Sequence, residues 1–336
     1  MEKDYILKVK NLQTKFKVGK KTVNAVNDVS FNLRRGVTLG IVGESGCGKS
    51  VTAHSITQLL PKNGYISGGN VIYSPEPGQE FVITDYERNS KEMRSLRGKH
   101  ISMIFQDPLS SLDPVYSIGW QIMEALLTHE KVSKEEGKNR IISLLKDLGI
   151  PDPVARYKSY PHELSGGMKQ RIMIAIGLIS NPKILIADEP TTALDVTIQA
   201  QILSLMKQMQ KSMDMSVILI THNMGIVAEV CDEVAVMYMG RIVEFGSLEQ
   251  IFNNPKHPYT QALLKSVPVL GMGKDVELES IEGTTPDASI VFEGCEFEPR
   301  CPKACDKCKT AHPSVTEIEE GHEVRCWLYE GGDRND

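Results

Sequence analysis

Gly43-Glu44-Ser45-Gly46-Cys47-Gly48-Lys49-Ser50 is the stretch that most constrains how this chain folds. It satisfies G-x-x-x-x-G-K-[ST] at every fixed position and lies between a β-branched apolar run, Val37 to Val42, and a helix-compatible stretch, Lys49 to Leu60. Glycines let successive N–H groups turn toward one anion, and the start of the following helix adds the positive end of its dipole. Such a loop suits phosphate. Lys49 is then placed to reach the outer phosphates and the Ser50 hydroxyl to ligate Mg²⁺. Outside the strand–turn–helix context, the same octapeptide reads only as a Gly-rich turn.

The rest of the chain supplies that context. Apolar strands are predicted at Ile101 to Phe105, Ile184 to Ala187, Val217 to Thr221 and Val234 to Tyr238, separated by segments of helical periodicity. This alternation predicts an α/β fold with a largely parallel, helix-covered sheet. Ser117 to Ile179 reads as a helical insertion, with Ser133 and Glu136 as a capping box and Ile141, Leu144, Leu145 and Leu148 on one helix face. Val9 to Leu33 and Gly64 to Ile83 read as antiparallel β material. After Gly246 the pattern loosens, and Leu270 to Asp287 has the composition of a linker. A boundary near residue 248 divides the chain into 1–247, with its helical part at about 107–180, and an extension, 248–336.

Composition narrows the function classes. Lys plus Arg number 38 against 43 Asp plus Glu, a net charge of −5, so the chain carries no electrostatic footprint for nucleic acid, and no nucleic-acid partner is expected. The longest apolar run, Ile172 to Ile179, is less than half the ~20 residues that cross a bilayer. Met1 to Lys10 mixes charges into its apolar residues and has no secretory h-region, so the chain is expected to stay in the cytosol.

Three further patterns carry chemistry. Ile184 to Ala187 runs into Asp188-Glu189, two carboxylates at the C-terminal end of a strand, where open α/β sheets bind ligands; Asp188 is suited to Mg²⁺ and Glu189 to the attacking water. Leu164-Ser165-Gly166-Gly167-Met168 precedes an apolar helix, so Ser165 and the two glycine amides form a second anion site or, more plainly, a flexible N-cap. His222 follows a strand and reads either as a structural histidine or as a catalytic one.

Taken together these pieces resemble the ATP-binding cassette family: a Walker A loop at Gly43 to Ser50, a Q-loop Gln106, a signature at Leu164 to Met168, Walker B at Ile184 to Glu189, a D-loop Thr192-Ala193-Leu194-Asp195 and a switch His222, each once and in family order. The resemblance implies a RecA-like P-loop core with an antiparallel β subdomain and a helical subdomain. It assigns ATP to Gly43, Glu44, Ser45, Gly46, Cys47, Gly48, Lys49, Ser50 and Val51, with Phe16 stacking on the adenine, unless Phe16 is a core residue. It gives Mg²⁺ to Ser50, Gln106 and Asp188, catalysis to Glu189, His222 and Gln106, and the γ-phosphate of a partner's ATP to Ser165, Gly166 and Gly167. Met168 stands where the general pattern has Gln, as in the peptide-importer subgroup. Cys47 reads as a thiol activated by the helix N-terminus or as a passive small residue.

Five of the seven cysteines crowd into the tail: Cys295, Cys301, Cys305, Cys308 and Cys326. In a reducing compartment a metal site is expected before disulfides. Ile251 to Leu264, Asp107 to Pro114 and the Gly294-Cys295 and Arg300-Cys301 pairs resemble the ATPase subunits of oligopeptide and dipeptide permeases. In that subgroup Cys295, Cys301, Cys308 and Cys326 correspond to four thiolates suited to a [4Fe–4S] cluster or to Zn²⁺; Cys305-x-x-Cys308 has zinc-type spacing, and free thiols are the remaining alternative, since spacing alone does not separate the three. The resemblance implies an importer ATPase for peptides or a related small solute. It lies peripherally on the cytoplasmic membrane face with a second, different ATPase subunit, two permease subunits and an external solute-binding protein. The competing class is a soluble cassette ATPase of DNA repair or translation, which has either a coiled coil or two cassettes per chain.

Overall fold

A computed structural model describes residues 4–106, 111–192, 194–266, 281, 283–287 and 289–330. Its strands are β1 (Tyr5–Val18), β2 (Lys21–Arg34), β3 (Thr38–Val42), β4 (Gly64–Tyr73), β5 (Phe81–Val82), β6 (Ile101–Ile104), β7 (Ile184–Asp188), β8 (Ser216–Thr221), β9 (Glu233–Tyr238), β10 (Arg241–Ser247), β11 (Thr316–Glu319) and β12 (His322–Val324). The chain forms two compact units. One comprises Met1–Ile6, Arg34–Val37 and Ser74–Leu219; the other comprises Leu7–Leu33, Thr38–Tyr73 and Ile220–Asp336.

In the first unit β6 and β7 pair in parallel, Ile101 opposite Ile184 and Ile104 opposite Ala187. Every position of β7 is buried, which explains its unbroken apolar spelling: a parallel strand covered on both faces has no polar side to show. The helical insertion is present as three main helices, Ile118–His129, Lys134–Asp147 and Gly166–Leu178, which pack on one another. Each begins at a serine, Ser117, Ser133 or Ser165, whose hydroxyl accepts the amide of the third helical residue, so one orphan donor per helix is satisfied locally. Ile141, Leu145 and Leu148 are buried on the expected face.

In the second unit β2, β1 and β4 stand side by side, with β1 antiparallel to β4. β3 runs parallel to β9, Leu39 opposite Glu233 and Val42 opposite Val236. β9 turns back into β10 through Gly240, and β10 continues antiparallel to β12 and then β11. The hairpin of the tail therefore extends the sheet that carries the phosphate loop, a pairing with no counterpart in the sequence expectation. Helix Lys49–Ile56 is shorter than expected because Gln58 takes a left-handed backbone, φ 51°, which no regular helix accommodates.

Candidate functional site

The fully buried strand β3 delivers the chain into the glycine loop. Gly43, Gly46 and Gly48 have φ of 152°, 80° and 105°. A Cβ on Gly43 would sit 2.1 Å from the Met237 carbonyl oxygen, and one on Gly48 would sit 2.4 Å from that of Ala25, so both positions exclude any side chain. The backbone of β9 and β2 thus presses on the underside of the loop, and the Gly240 amide donates to Cys47 O at 2.8 Å. Lys49 is buried, and its Nζ donates to Gly43 O (2.7 Å) and Glu44 O (2.9 Å), an ammonium folded back over its own loop. Ser45 and Gly46 are exposed at the tip, and Ser50 and Val51 are half-buried at the helix start. The result is a tightly backed turn with one lysine and a helix N-terminus, suited to a polyphosphate. Phe16 is half-buried in β1, its ring against Gly64.

The reactive reading of Cys47 is overturned. Its side chain is 1% exposed, and burial pushes its thiol above the usual range despite the Lys49 ammonium nearby. A thiol shut away from water and reagents is a packing residue.

The first unit gathers the carboxylate chemistry. Asp188 ends β7 and is 3% exposed. Glu189 follows in a left-handed conformation, φ 45°, a backbone that costs a non-glycine residue about 1–2 kcal/mol. The kink swings its carboxylate out of the strand, where Oε2 accepts from Gln106 Nε2 and from Thr192 Oγ1, both at 2.9 Å. Gln106 and Glu189, singled out separately in the sequence, are thus joined directly. Asp195 caps helix Val196–Met213 through the Ile198 amide. Ala193 of the D-loop stretch and residues 107–110 of the stretch after Gln106 lie outside the described residues.

Ser165 and Gly166 are exposed where helix Gly166–Leu178 begins, and the Ser165 hydroxyl already accepts the Met168 amide. Gly167 backs onto Ile198, whose Cγ2 would lie 2.9 Å from a Cβ there. His222, in the second unit, is exposed directly after β8, and the next residue, Asn223, caps helix Met224–Val230.

Sequence reasoning missed the residues that hold the loop from outside it. Tyr259 Oη accepts the Glu44 amide at 2.9 Å, and Arg300 grips the Glu44 carboxylate with both guanidinium nitrogens, at 2.7 and 3.0 Å. Burial alone would raise the Glu44 carboxyl, but the Arg300 hydrogen bonds and charge outweigh it and leave its pKa lowered. Arg300 was visible only as half of an Arg-Cys pair, and Tyr259 only as part of a resemblance.

Residues 26–192 match a family model described as ABC transporter, and residues 243–308 match one described as oligopeptide/dipeptide transporter, C-terminal region. The chain is 51% identical over 330 residues to the dipeptide transport ATP-binding protein DppD of Bacillus subtilis, covering 98% of this chain and 95% of that one. It is 48% identical over 324 residues to OppD, an oligopeptide transport ATP-binding protein of the same organism, covering 96% and 88%. The chain belongs to the ABC transporter ATPases.

As an ABC transporter ATPase it hydrolyses ATP. Its fold agrees with solved cassettes: a dimeric post-hydrolysis ATP-binding cassette, MJ0796, bound to ADP and Pi matches at a TM-score of 0.63 with 26% identity, covering 72% of this chain and 98% of that one. CbiO1 of Clostridium perfringens, described as part of the transporter complex cbiONQ, matches at 0.62 with 30% identity, covering 75% and 92%. Among the described residues no helix is long and apolar enough to cross a membrane.

The C-terminal region of this ABC transporter ATPase holds all five tail cysteines against one cavity of about 670 Å³. Gly294 permits the close approach that builds it: a Cβ there would lie 2.1 Å from Cys308 O, which accepts the Cys295 amide at 2.8 Å. The expectation of four thiols gathered around one metal is not met. Among the described residues no three of His, Cys, Asp or Glu group closely enough to hold a metal ion. Cys305 and Cys308 meet at 3.5 Å, while burial pushes the thiol of Cys326 up to about 11 and that of Cys295 up to about 12.

Proposed function

We propose that this ABC transporter ATPase is the ATP-hydrolysing subunit of an importer for dipeptides or oligopeptides. The observation that carries the reading is the match of residues 243–308 to the oligopeptide/dipeptide transporter C-terminal region, a segment outside the residues matched as ATPase. Relatives named for dipeptide and oligopeptide transport are related along 96–98% of this chain, which disfavours a soluble repair or translation ATPase. In this reading residues 1–247 are the cassette and 248–336 the importer-specific extension.

The site residues take the following roles. Gly43, Glu44, Ser45, Gly46, Cys47, Gly48 and Val51 hold the ATP phosphates by backbone, with Phe16 against the base; Lys49 leaves its loop carbonyls for the β- and γ-phosphates. Mg²⁺, held through Ser50, Asp188 and Gln106, supplies charge neutralisation on the phosphates when bound. Glu189 accepts a proton from the attacking water in place of one of its present donors, Gln106 or Thr192. His222 positions the γ-phosphate, and Ser165, Gly166 and Gly167 present a helix N-terminus to the nucleotide of a second cassette. That second cassette is a different ATPase chain. The pair docks on two membrane permease subunits at the cytoplasmic face and serves an external solute-binding protein. The five cysteines that line one cavity are donors of the kind a [4Fe–4S] cluster or structural Zn²⁺ would take, but as placed among the described residues no three of them group closely enough to hold a metal, and no step of hydrolysis depends on such a group.

Purification of the chain from native membranes tests the reading. Two integral membrane proteins and a second ATPase are expected to copurify, with turnover stimulated by peptide-loaded binding protein. A chain recovered alone, with turnover indifferent to peptide, would overturn it.

A further inference from the structure

Glu44 is the second residue of the phosphate loop, yet its polar groups are held by residues 215 to 256 positions later in the chain. Its amide donates to Tyr259 Oη, and its carboxylate takes the Arg300 fork and the Thr285 hydroxyl at 3.1 Å. Arg300 is no loose surface cation. Its side chain is 4% exposed, its guanidinium lies 5.9 Å from the centre of the Tyr238 ring, and its NH1 also donates to Tyr238 Oη at 3.3 Å. The backbone below it is anchored: the Arg300 amide donates to Phe297 O, and Phe297 is buried edge-on against Tyr238 and Tyr259. Three aromatics packed edge-on and tilted thus set the Arg300 and Tyr259 groups that hold Glu44. A planar fork on a carboxylate fixes distance and orientation together, whereas a lysine would fix only distance.

We infer that Arg300, assisted by Tyr259, is a positioning residue for the phosphate loop, so that nucleotide affinity depends on the folded state of the cysteine-rich extension. The reasoning rests on the proposed binding of ATP phosphates by residues 43–51. The loop tip, Ser45 and Gly46, is exposed and carries no buried side chain of its own, so its shape is imposed from its two ends: Lys49 on one side and the Glu44 clamp on the other. Releasing the clamp frees the first turn of the loop and adds an ordering cost to each nucleotide that binds. By reciprocity, bound nucleotide strengthens the hold of the extension.

The test uses the full chain in its transporter complex and reads KM against kcat for MgATP, with equilibrium dialysis for affinity. Arg300→Gln is expected to raise KM and Kd about tenfold with kcat nearly unchanged, and Arg300→Lys to recover part of that loss. Arg300→Gln combined with Glu44→Gln is expected to cost no more than the worse single change, because the two side chains act as one unit. Tyr259→Phe, which deletes only the hydroxyl, is expected to raise KM by about fivefold and decides the matter should Arg300→Gln fail to fold. Unchanged KM in the folded variants, a fall confined to kcat, or additive losses would overturn the inference. Wild-type complex that binds no MgATP would instead remove the ATP-site reading on which it rests.

Discussion

Glu189 combines two features that a structural acid does not need: a left-handed backbone and two donors, Gln106 and Thr192, on a single carboxylate oxygen. The strain is local and the donors come from residues far apart in sequence and close by, so the oxygen is aimed rather than merely solvated. Glu189→Gln keeps the shape and an oxygen able to accept both donors, but removes the basicity. Turnover is expected to fall by roughly 10²–10⁴-fold while MgATP affinity stays within about twofold, measured by phosphate release and equilibrium dialysis. Turnover equal to wild type would remove Glu189 from the chemistry. Cys47, three positions after Glu44, shows the opposite lesson: its place at a helix start suggested reactivity, and burial cancels it.

At the scale of elements, the sequence was legible wherever burial is two-sided or a cap is local. β3, β7 and β9 spell their burial as apolar runs, and Ser117, Ser133 and Ser165 mark helix starts within three residues of the amides they satisfy. Illegible were β11 and β12, whose charged residues, such as Glu317, Glu319 and Glu323, hide a hairpin paired to β10, and the partners of Glu44, which only tertiary folding brings near. His257 belongs to the same class. Its Nδ1 accepts the Tyr259 amide at the start of helix Pro258–Lys265, and complete burial lowers its pKa to about 3. An unfolded histidine titrates near 6.5, so this stabilising contribution is complete above that pH and is lost as pH falls toward about 3, at up to ~1.4 kcal/mol per pH unit. His257→Asn caps without titrating. The thermal midpoint of wild type is expected to drop more steeply between pH 6.5 and 5 than that of the variant, and parallel curves would assign the acid sensitivity elsewhere.

For the whole molecule, the 336 residues carry one phosphate loop, one carboxylate pair and one signature, and the proposed reading places a second cassette opposite them. Gly166 offers a clean way to ask whether the signature serves that partner. Among the described residues a Cβ there would meet Leu194 Cδ2 alone, at 4.0 Å, and the position needs no left-handed backbone, so those residues leave room for a side chain. An aspartate in the first turn also complements the dipole of helix Gly166–Leu178. Gly166→Asp is therefore expected to change the stability of the isolated chain by no more than about 0.5 kcal/mol and to leave its MgATP affinity intact. In the assembled complex the same carboxylate would face a partner's γ-phosphate, and turnover is expected to fall by at least about 100-fold, the scale of losing one preorganised anion-stabilising group. Thermal midpoint, nucleotide affinity and phosphate release, read on the same preparation, separate the outcomes. Stable, nucleotide-binding but inactive complex is what a signature acting across two subunits produces, whereas full turnover would mean that Ser165 and its glycines only start a helix.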